Sequence, residues 1–524
     1  MNFIELFAGC GGLSLGLKSV GFNLVMANEL SPMAAETYAF NFFNEDLSVE
    51  LQKEKPSLKK ILWLSSNYSI EDLRSRLRED PRSFPNINDG ISDISKDGSN
   101  LYKSLVVGSI VDLNNWMERH PDAELKIKKS FSNQEIDVVS GGPPCQSFSM
   151  AGLRQLNSEK NSLPWEFAKF VNKVQPKLVL LENVTGILRP FKNEDGESFY
   201  AWFELAKAFS EIGYIPLCLH VNAKYAGVPQ NRPRFILLGV RFNVFDNLKN
   251  TFNDFERTLF KQSHEFFIKI KSNETVDIKD LHCWDVSNNY DINLFKNSFL
   301  KHLVASDDNF VSVKNAIDDL RVDGGEGFYS ERLRNVFSNV LEERSMKNHD
   351  YRSNSDLVKR RFRIYQILQQ VSNKTKKTVV EILKGEVDHL DDDDWRDLSK
   401  FKFLFKNGEM KKFHVKKELV NYLKSHPTKK QTQKALLADL PAPAALSIPD
   451  DACHYHEAEQ RTLTVREMAR IQSFPDNFEF RSKVTTGGTM RSFEVPQYTQ
   501  VGNAVPPLLA RALGLSIKDL LSKL

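Results

Sequence analysis

Apolar and polar positions alternate with two distinct periods over the first 240 residues. Phe3-Ile4-Glu5-Leu6 is an apolar run of strand length, and the turn Gly9-Cys10-Gly11-Gly12 separates it from a helical pattern over about 13–20. A second strand over 24–27 runs on to Glu29, and a helix follows Pro32. Residues 46–99 are polar and turn-rich and break this rhythm, which reads as an inserted segment. The rhythm resumes with a strand over 136–140 running into Gly141-Gly142-Pro143-Pro144-Cys145, a helix over 165–174, a strand over 178–181 ending at Glu182, and strands at 215–221 and 235–240. Such alternation predicts an α/β fold with a doubly wound, mostly parallel sheet that places ligands at the carboxyl ends of its strands. From 241 to about 460 the alternation is lost, which predicts a second domain. Leu509, Leu513, Ile517, Leu520 and Leu524 then mark an amphipathic helix that packs back on the first domain.

Composition narrows the class. The 524 residues are 41% hydrophobic and 27% charged, and the apolar runs are too short to span a bilayer. The opening residues carry no signal-like segment, which points to the cytoplasm. Five cysteines with no CxxC pair point to reduced thiols, and Cys453-His454-Tyr455-His456 lacks a second ligand pair, so no metal is expected. The net charge of +3 is uninformative as a total, but eleven lysines between Lys400 and Lys434 face only Glu409 and Glu418, with Phe401, Phe403, Phe405, Phe413 and Tyr422 among them. That stretch suits a phosphate backbone or, equally, a solvated surface over a phenylalanine-lined core.

Two segments carry candidate chemistry. The glycines after the first strand let a backbone approach a ligand closely at a helix start, and Glu29 ends the second strand where a carboxylate accepts from ribose hydroxyls, so the pair describes a nucleoside-containing cofactor. In Gly141-Gly142-Pro143-Pro144-Cys145-Gln146-Ser147-Phe148-Ser149, two prolines stiffen the turn before a thiol at a strand end, which suits a nucleophile better than a packing cysteine. Glu182 ends the neighbouring strand and would face the same crevice.

With FAGCGG, Glu29, GGPPCQSFS, LLENV, the run Gly227 to Arg234, the run Leu463 to Gln472 and the run Gln500 to Pro507 in this order, the chain resembles the DNA cytosine-5 methyltransferase family, bacterial type. The resemblance implies a Rossmann-like S-adenosylmethionine-dependent domain with a mostly parallel sheet, plus a smaller mixed target-recognition domain. It divides the chain into a catalytic domain over 1–240, a target-recognition domain over 241–489 that includes a bracing motif at 461–476, and a segment over 490–524 that completes the catalytic domain.

By analogy, the Cys145 thiolate adds to carbon 6 of a cytosine flipped out of double-stranded DNA, a protonated Glu182 hydrogen-bonds ring nitrogen 3, and Arg232 and Arg234 supply cations. Phe7, Gly9, Gly11, Gly12, Leu13, Glu29, Ser109, Ile110, Asn503 and Val505 are implied to bind S-adenosylmethionine, and Gln146, Ser147, Ser149 and Gln230 to meet DNA. Ser109 stands where the family has an aspartate. Arg466, Glu467 and Arg470 read as braces, while Asn348-His349 and Lys359-Arg360-Arg361 resemble elements of the target-reading region. The implied protein is a monomer of the prokaryotic nucleoid, modifying the site of a cognate restriction endonuclease. A tRNA cytosine methyltransferase and a catalytically inactive DNA-binding regulator are the alternatives. The tRNA branch typically carries a Cys-Phe-Thr segment that is absent here, and intact Cys145, Glu182, Gln230 and Arg234 speak against an inactive protein.

Overall fold

The apolar runs of the first 290 residues join into one sheet. The computed structural model describes every residue except 145–161, 193–197, 305–309, 326, 428–433, 445 and 450. In chain order the strands are β1 (Asn2–Leu6), β2 (Asn23–Glu29), β3 (Ile61–Trp63), β4 (Ser104–Val107), β5 (Val138–Gly141), β6 (Leu178–Val184), β7 (Tyr214–Asn222), β8 (Pro233–Arg241) and β9 (Cys283–Asp285). They lie side by side as β9-β7-β8-β6-β5-β1-β2-β4-β3. Only β8 runs antiparallel to its neighbours β6 and β7. The sheet is therefore mostly parallel, as the alternation predicts.

Both faces are covered, so each strand is apolar on both sides. Period two divides them: Phe3, Leu178, Leu180, Ile236 and Leu238 join one core, and Ile4, Leu6, Val179, Leu181, Phe235 and Leu237 the other. Helices α1 (Gly12–Ser19) and α2 (Pro32–Phe43) lie on the first face, and α3 (Ile110–Arg119), α4 (Leu163–Val174) and α5 (Ala201–Glu211) on the second. Ser31 caps α2 through its side chain, with Pro32 at the first helical position where no N–H is needed.

The C-terminal helix α12 (Pro507–Leu521) closes the first face by packing on α1. Their approach depends on small residues: a Cβ built on Gly16 would lie 2.3 Å from the Ala510 Cβ. One turn earlier, a Cβ on Gly12 would lie 2.2 Å from the Val505 carbonyl oxygen. Both chain ends thus build one wall.

Beyond 241 the chain continues to feed the main core. Val244, Phe245, Phe260, Phe267, Phe295, Phe299, Leu333 and Leu341 are buried in the main core beside the sheet. Helix α6 (Asp254–Lys271), opened by a reciprocal Asn253–Glu256 capping box, packs on β7. A separate core is made instead by α7 (Asp356–Leu368), α8 (Asn373–Lys384) and α9 (Lys416–Lys424), with Phe403, Phe413, Ala435 and Cys453. The rings of the lysine-rich stretch face inward there: Phe403 and Phe413 are buried, and Phe401, Phe405 and Tyr422 pack against them. Helices α10 (Val465–Ile471) and α11 (Gln497–Asn503) return the chain to the main core. Among the described residues no helix is long and apolar enough to cross a membrane.

A Gly16→Val substitution is expected to lower stability by about 1–3 kcal/mol or more, because the added atoms have no room against α12. Thermal denaturation of the full chain reads this directly.

Candidate active site

The carboxyl ends of β5 and β6 and the amino end of the antiparallel β8 meet in one crevice, and period two decides what faces it. Glu182 and Arg234 fall on the same sheet face because Ile236, two residues after Arg234, is the register partner of Glu182. Arg234 Nε lies 2.6 Å from Glu182 Oε1, and both side chains are nearly buried. Burial pushes the Arg234 guanidinium below its ordinary pKa, and the Glu182 carboxylate opposes that shift.

The Gly-Gly-Pro-Pro turn passes directly over this acid. A Cβ on Gly142 would lie 3.0 Å from Glu182 Oε2, so glycine permits the approach. Asn183 Nδ2 donates to the Pro143 carbonyl at 3.0 Å and pins the turn. Asn183 was not singled out in the sequence; its position directly after a strand-end acid is the signal that could have found it. Cys145, Gln146, Ser147 and Ser149 lie outside the described residues.

Gln230, Arg232 and Arg234 alternate along one strand direction, and each reaches a different part of the chain. Gln230 Nε2 donates to Pro443 O at 2.9 Å, while its Oε1 is buried without a hydrogen-bond partner. Arg232 donates to the carbonyls of Gly502 at 2.7 Å, Ala504 at 3.1 Å and Ala444 at 3.3 Å. Burial drives its pKa well down, and neighbouring Arg234 adds to that. This geometry makes Arg232 a tie between segments, whereas Arg234 is the cation that touches the acid.

A second opening lies at the ends of β1 and β2. Phe7 and Gly9 both have φ of 55°. A Cβ on Gly11 would strike the Phe42 ring, whereas one on Gly9 would meet nothing within 4 Å, so Gly9 borders open space. Glu29 latches this loop: Oε2 accepts from Gly9 N at 2.8 Å and Oε1 from Ser31 N at 2.8 Å. Burial raises the Glu29 pKa and these backbone N–H groups oppose the rise. Each oxygen keeps a second lone pair for a ribose hydroxyl, so the cradle fits a nucleoside. Ser109 caps α3, its Oγ accepting from Val111 N at 3.2 Å. Gly11, Gly12, Leu13 and Ile110 are buried behind the opening, and Phe7, Gly9, Glu29, Ser109, Asn503 and Val505 retain exposure.

Comparisons with known proteins identify the family of the chain. The family model described as C-5 cytosine-specific DNA methylase matches residues 1–62 and 113–519. The chain belongs to the C-5 cytosine-specific DNA methylase family. Members transfer a methyl group from S-adenosylmethionine to carbon 5 of cytosine in DNA. Type II methyltransferase M.DdeI of Desulfomicrobium norvegicum is 26% identical over 520 residues, covering 98% of this chain and 87% of that protein. Type II methyltransferase M.Bpa9945I of Bacillus paralicheniformis is 24% identical, covering 100% of this chain and 99% of that protein. A solved DNA modification methyltransferase encoded within an E. coli prophage aligns over 100% of this chain and 99% of its own at 18% identity, with a TM-score of 0.46. The methylase family model passes over 63–112, which holds most of the polar insertion.

Other residues of the methylase resolve into braces. Arg461 forks onto Glu467 at 2.8 and 2.7 Å, Arg466 donates to the Pro475 and Phe478 carbonyls, and Arg470 pairs with Asp476 and Asp319. Asn348 and His349 bond into the same region. The Asn348 amide donates to Phe480 O, and the His349 ring bridges Thr464 Oγ1 and Leu320 O at 3.0 Å each.

Beneath the glycine loop lies Glu5, fully buried on the α1 face of β1. It accepts from the Ser14 hydroxyl, whose oxygen lies 2.7 Å from the Tyr38 hydroxyl. Burial raises the Glu5 pKa from 4.5 to about 8, helped by the nearby Glu29 charge. The folded protein therefore holds a proton that the unfolded chain releases. This contribution to stability is complete below about pH 4.5 and is lost as the pH rises to about 8. Urea denaturation of wild type is expected to show stability falling over that window, by at most about 1.4 kcal/mol per pH unit from this group. A Glu5→Gln variant should show a flatter profile.

Proposed function

We propose that the crevice between β5, β6 and β8 is the catalytic centre, with Cys145 as nucleophile and Glu182 as the acid that steadies the base. The approach of Gly142 to within 3.0 Å of the Glu182 carboxyl, for a Cβ built there, is the observation that carries this reading. Cys145 follows Gly142 by three residues in the sequence, and Asn183 holds the turn before it at Pro143.

The Cys145 thiolate adds to carbon 6 of an extruded cytosine, which makes carbon 5 electron-rich. Glu182 shares a proton with ring nitrogen 3 and so spreads the charge that develops there. Arg234, already against Glu182, orients its carboxyl and favours negative charge in the crevice. Bound S-adenosylmethionine supplies an electrophilic methyl group. Methyl transfer to carbon 5 would release S-adenosylhomocysteine, and loss of the carbon 5 proton to solvent would then let the Cys145 thiolate be eliminated and the aromatic ring be restored. Phe7, Gly9, Glu29, Ser109, Asn503 and Val505 hold the methyl donor, with Gly11, Gly12, Leu13 and Ile110 shaping the wall behind. Arg232 positions this centre by holding the Gly502 and Ala504 carbonyls and does not act on the base. Gln146, Ser147, Ser149 and Gln230 are assigned to the DNA side.

Target recognition belongs to the unit with its own core, roughly 356–453, with 242–341 counted in the catalytic domain. Relatives named type II methyltransferases favour a restriction-modification role, in which a cognate endonuclease cuts the same unmethylated site. On that reading the protein works as a monomer at the nucleoid, in the cytoplasm.

Cys145→Ser is expected to abolish methylation and the covalent trapping of a duplex carrying 5-fluorocytosine; persistence of either overturns the assignment. Glu182→Gln should lower kcat by about 10²- to 10⁴-fold with the fold intact by circular dichroism. Bisulfite sequencing of DNA from expressing cells should show the cytosine of one short motif protected from conversion throughout, with no methylation of tRNA.

A further inference from the structure

The end of the sheet opposite the catalytic crevice carries a second, chemically distinct cavity. It has a volume of about 450 Å³, within the range of small-molecule sites. Lys18 at the end of α1, Lys60 before β3, Lys103 before β4 and Arg344 line it, with Phe42 and Phe43 from the end of α2. The start of β2 also borders it, so about 20 Å of strand separates it from Glu29.

Its charge is unbalanced. Glu342 is the one acid in the lining, and it is taken by Arg344 at 3.2 Å. Among the described residues Lys18, Lys60 and Lys103 form no ion pair. Lys18 sits over the Phe42 ring at 5.4 Å, Lys103 over Tyr102 at 5.3 Å, and Lys60 donates to the Tyr102 carbonyl at 3.3 Å. Burial pushes the Lys18 pKa below its ordinary value, and the Lys103 charge pushes it the same way.

Lysines at helix carboxyl ends ordinarily serve the terminal carbonyls. Here that work is done by other groups. Ser19 O accepts from Arg511 at 2.9 Å and Asn339 at 3.3 Å, Val20 O from Lys518 at 3.2 Å, and Phe40 O from Arg344 at 3.5 Å. Lys18 and Lys103 line the cavity with no acid partner among the described residues, and concave walls concentrate their field.

We propose that this cavity binds a polyphosphate anion bearing an aromatic ring, the chemistry of a nucleoside triphosphate. The phosphates bridge Lys18, Lys60 and Lys103, each a compact donor suited to phosphate oxygen. The ring lies against Phe42 and Phe43, where any base presents a π-face. A single bounded cavity fits a small molecule better than the continuous stripe that a duplex backbone requires.

Calorimetry on the full chain tests this, with the methyl-donor pocket filled by S-adenosylhomocysteine and salt near 0.15 M. Inorganic triphosphate and ATP are titrated in separate arms. Both should bind saturably with one site, and ATP more tightly. Lys18→Met/Lys103→Met should weaken both by about tenfold or more while leaving DNA methylation unchanged. Phe43→Leu should remove only the advantage of ATP. Lys60→Met provides an independent variant should the double one fold poorly. Absence of saturable binding, or unchanged affinity in a folded lysine variant, overturns the site. Equal affinity of the two probes overturns the ring contact. Displacement by a non-cognate duplex at matched phosphate concentration overturns the small-molecule assignment in favour of DNA backbone.

Discussion

The two-residue repeat along Gln230, Arg232 and Arg234 holds this molecule together at its centre. Three long polar side chains on one strand direction reach three segments that are remote in sequence: Pro443, the Gly502–Ala504 turn and Glu182. A buried guanidinium must find acceptors, since leaving one unpaired costs far more than a hydrogen bond returns. Arg232 therefore requires the 502–504 carbonyls to be where they are, and the same carbonyl-rich turn precedes α12. Since α12 packs on α1 through glycine contacts, the constraint passes on to the loop at Phe7 and Gly9. The acid in one crevice and the glycine cradle in the other are thus held to one another through β8.

Much of this was legible in the chain because it depends on short-range periodicity. Strand-end acids at Glu29 and Glu182 were visible where apolar runs stop, and the structure sets both at carboxyl ends of parallel strands of the one sheet, with β1 and β5 between them. The C-terminal helix was legible from its leucine spacing. What failed to show depends on context. Residues 242–341 read as irregular because α6 is amphipathic with a charged outer face, so polar residues dominate its composition while Phe260, Phe266 and Phe267 are buried. β3 and β9 have three residues each, too few to register a period. Arg232, and in part Asn348 and His349, tie onto backbone carbonyls, and a carbonyl leaves no trace in side-chain pattern.

The joint between the main body and the smaller unit is polar, which bears on how the two are held. Gln366 of α7, buried in the joint, lies 3.0, 2.7 and 3.1 Å from the carbonyls of His454, His456 and Glu459. Its amide has two hydrogens for three acceptors, so the bonds are shared. Arg363, one turn earlier, donates to Lys402 O and pairs with Glu457. Glu459 in turn holds Arg461, which forks onto Glu467. Apolar packing is non-directional, whereas this chain of directed bonds specifies an angle between two bodies.

A buried ionic chain of this kind is weak evidence for stability, because desolvation of each charge offsets most of the attraction. Its value lies in what it disallows. His454 shows the cost: burial lowers its pKa to about 4, so it stays neutral beside Glu467 and adds no second cation next to Arg461. If His454 were protonated, a second cation would compete for Glu467, and the fork that fixes Arg461 would loosen. Neutral histidine keeps one geometry preferred at this joint.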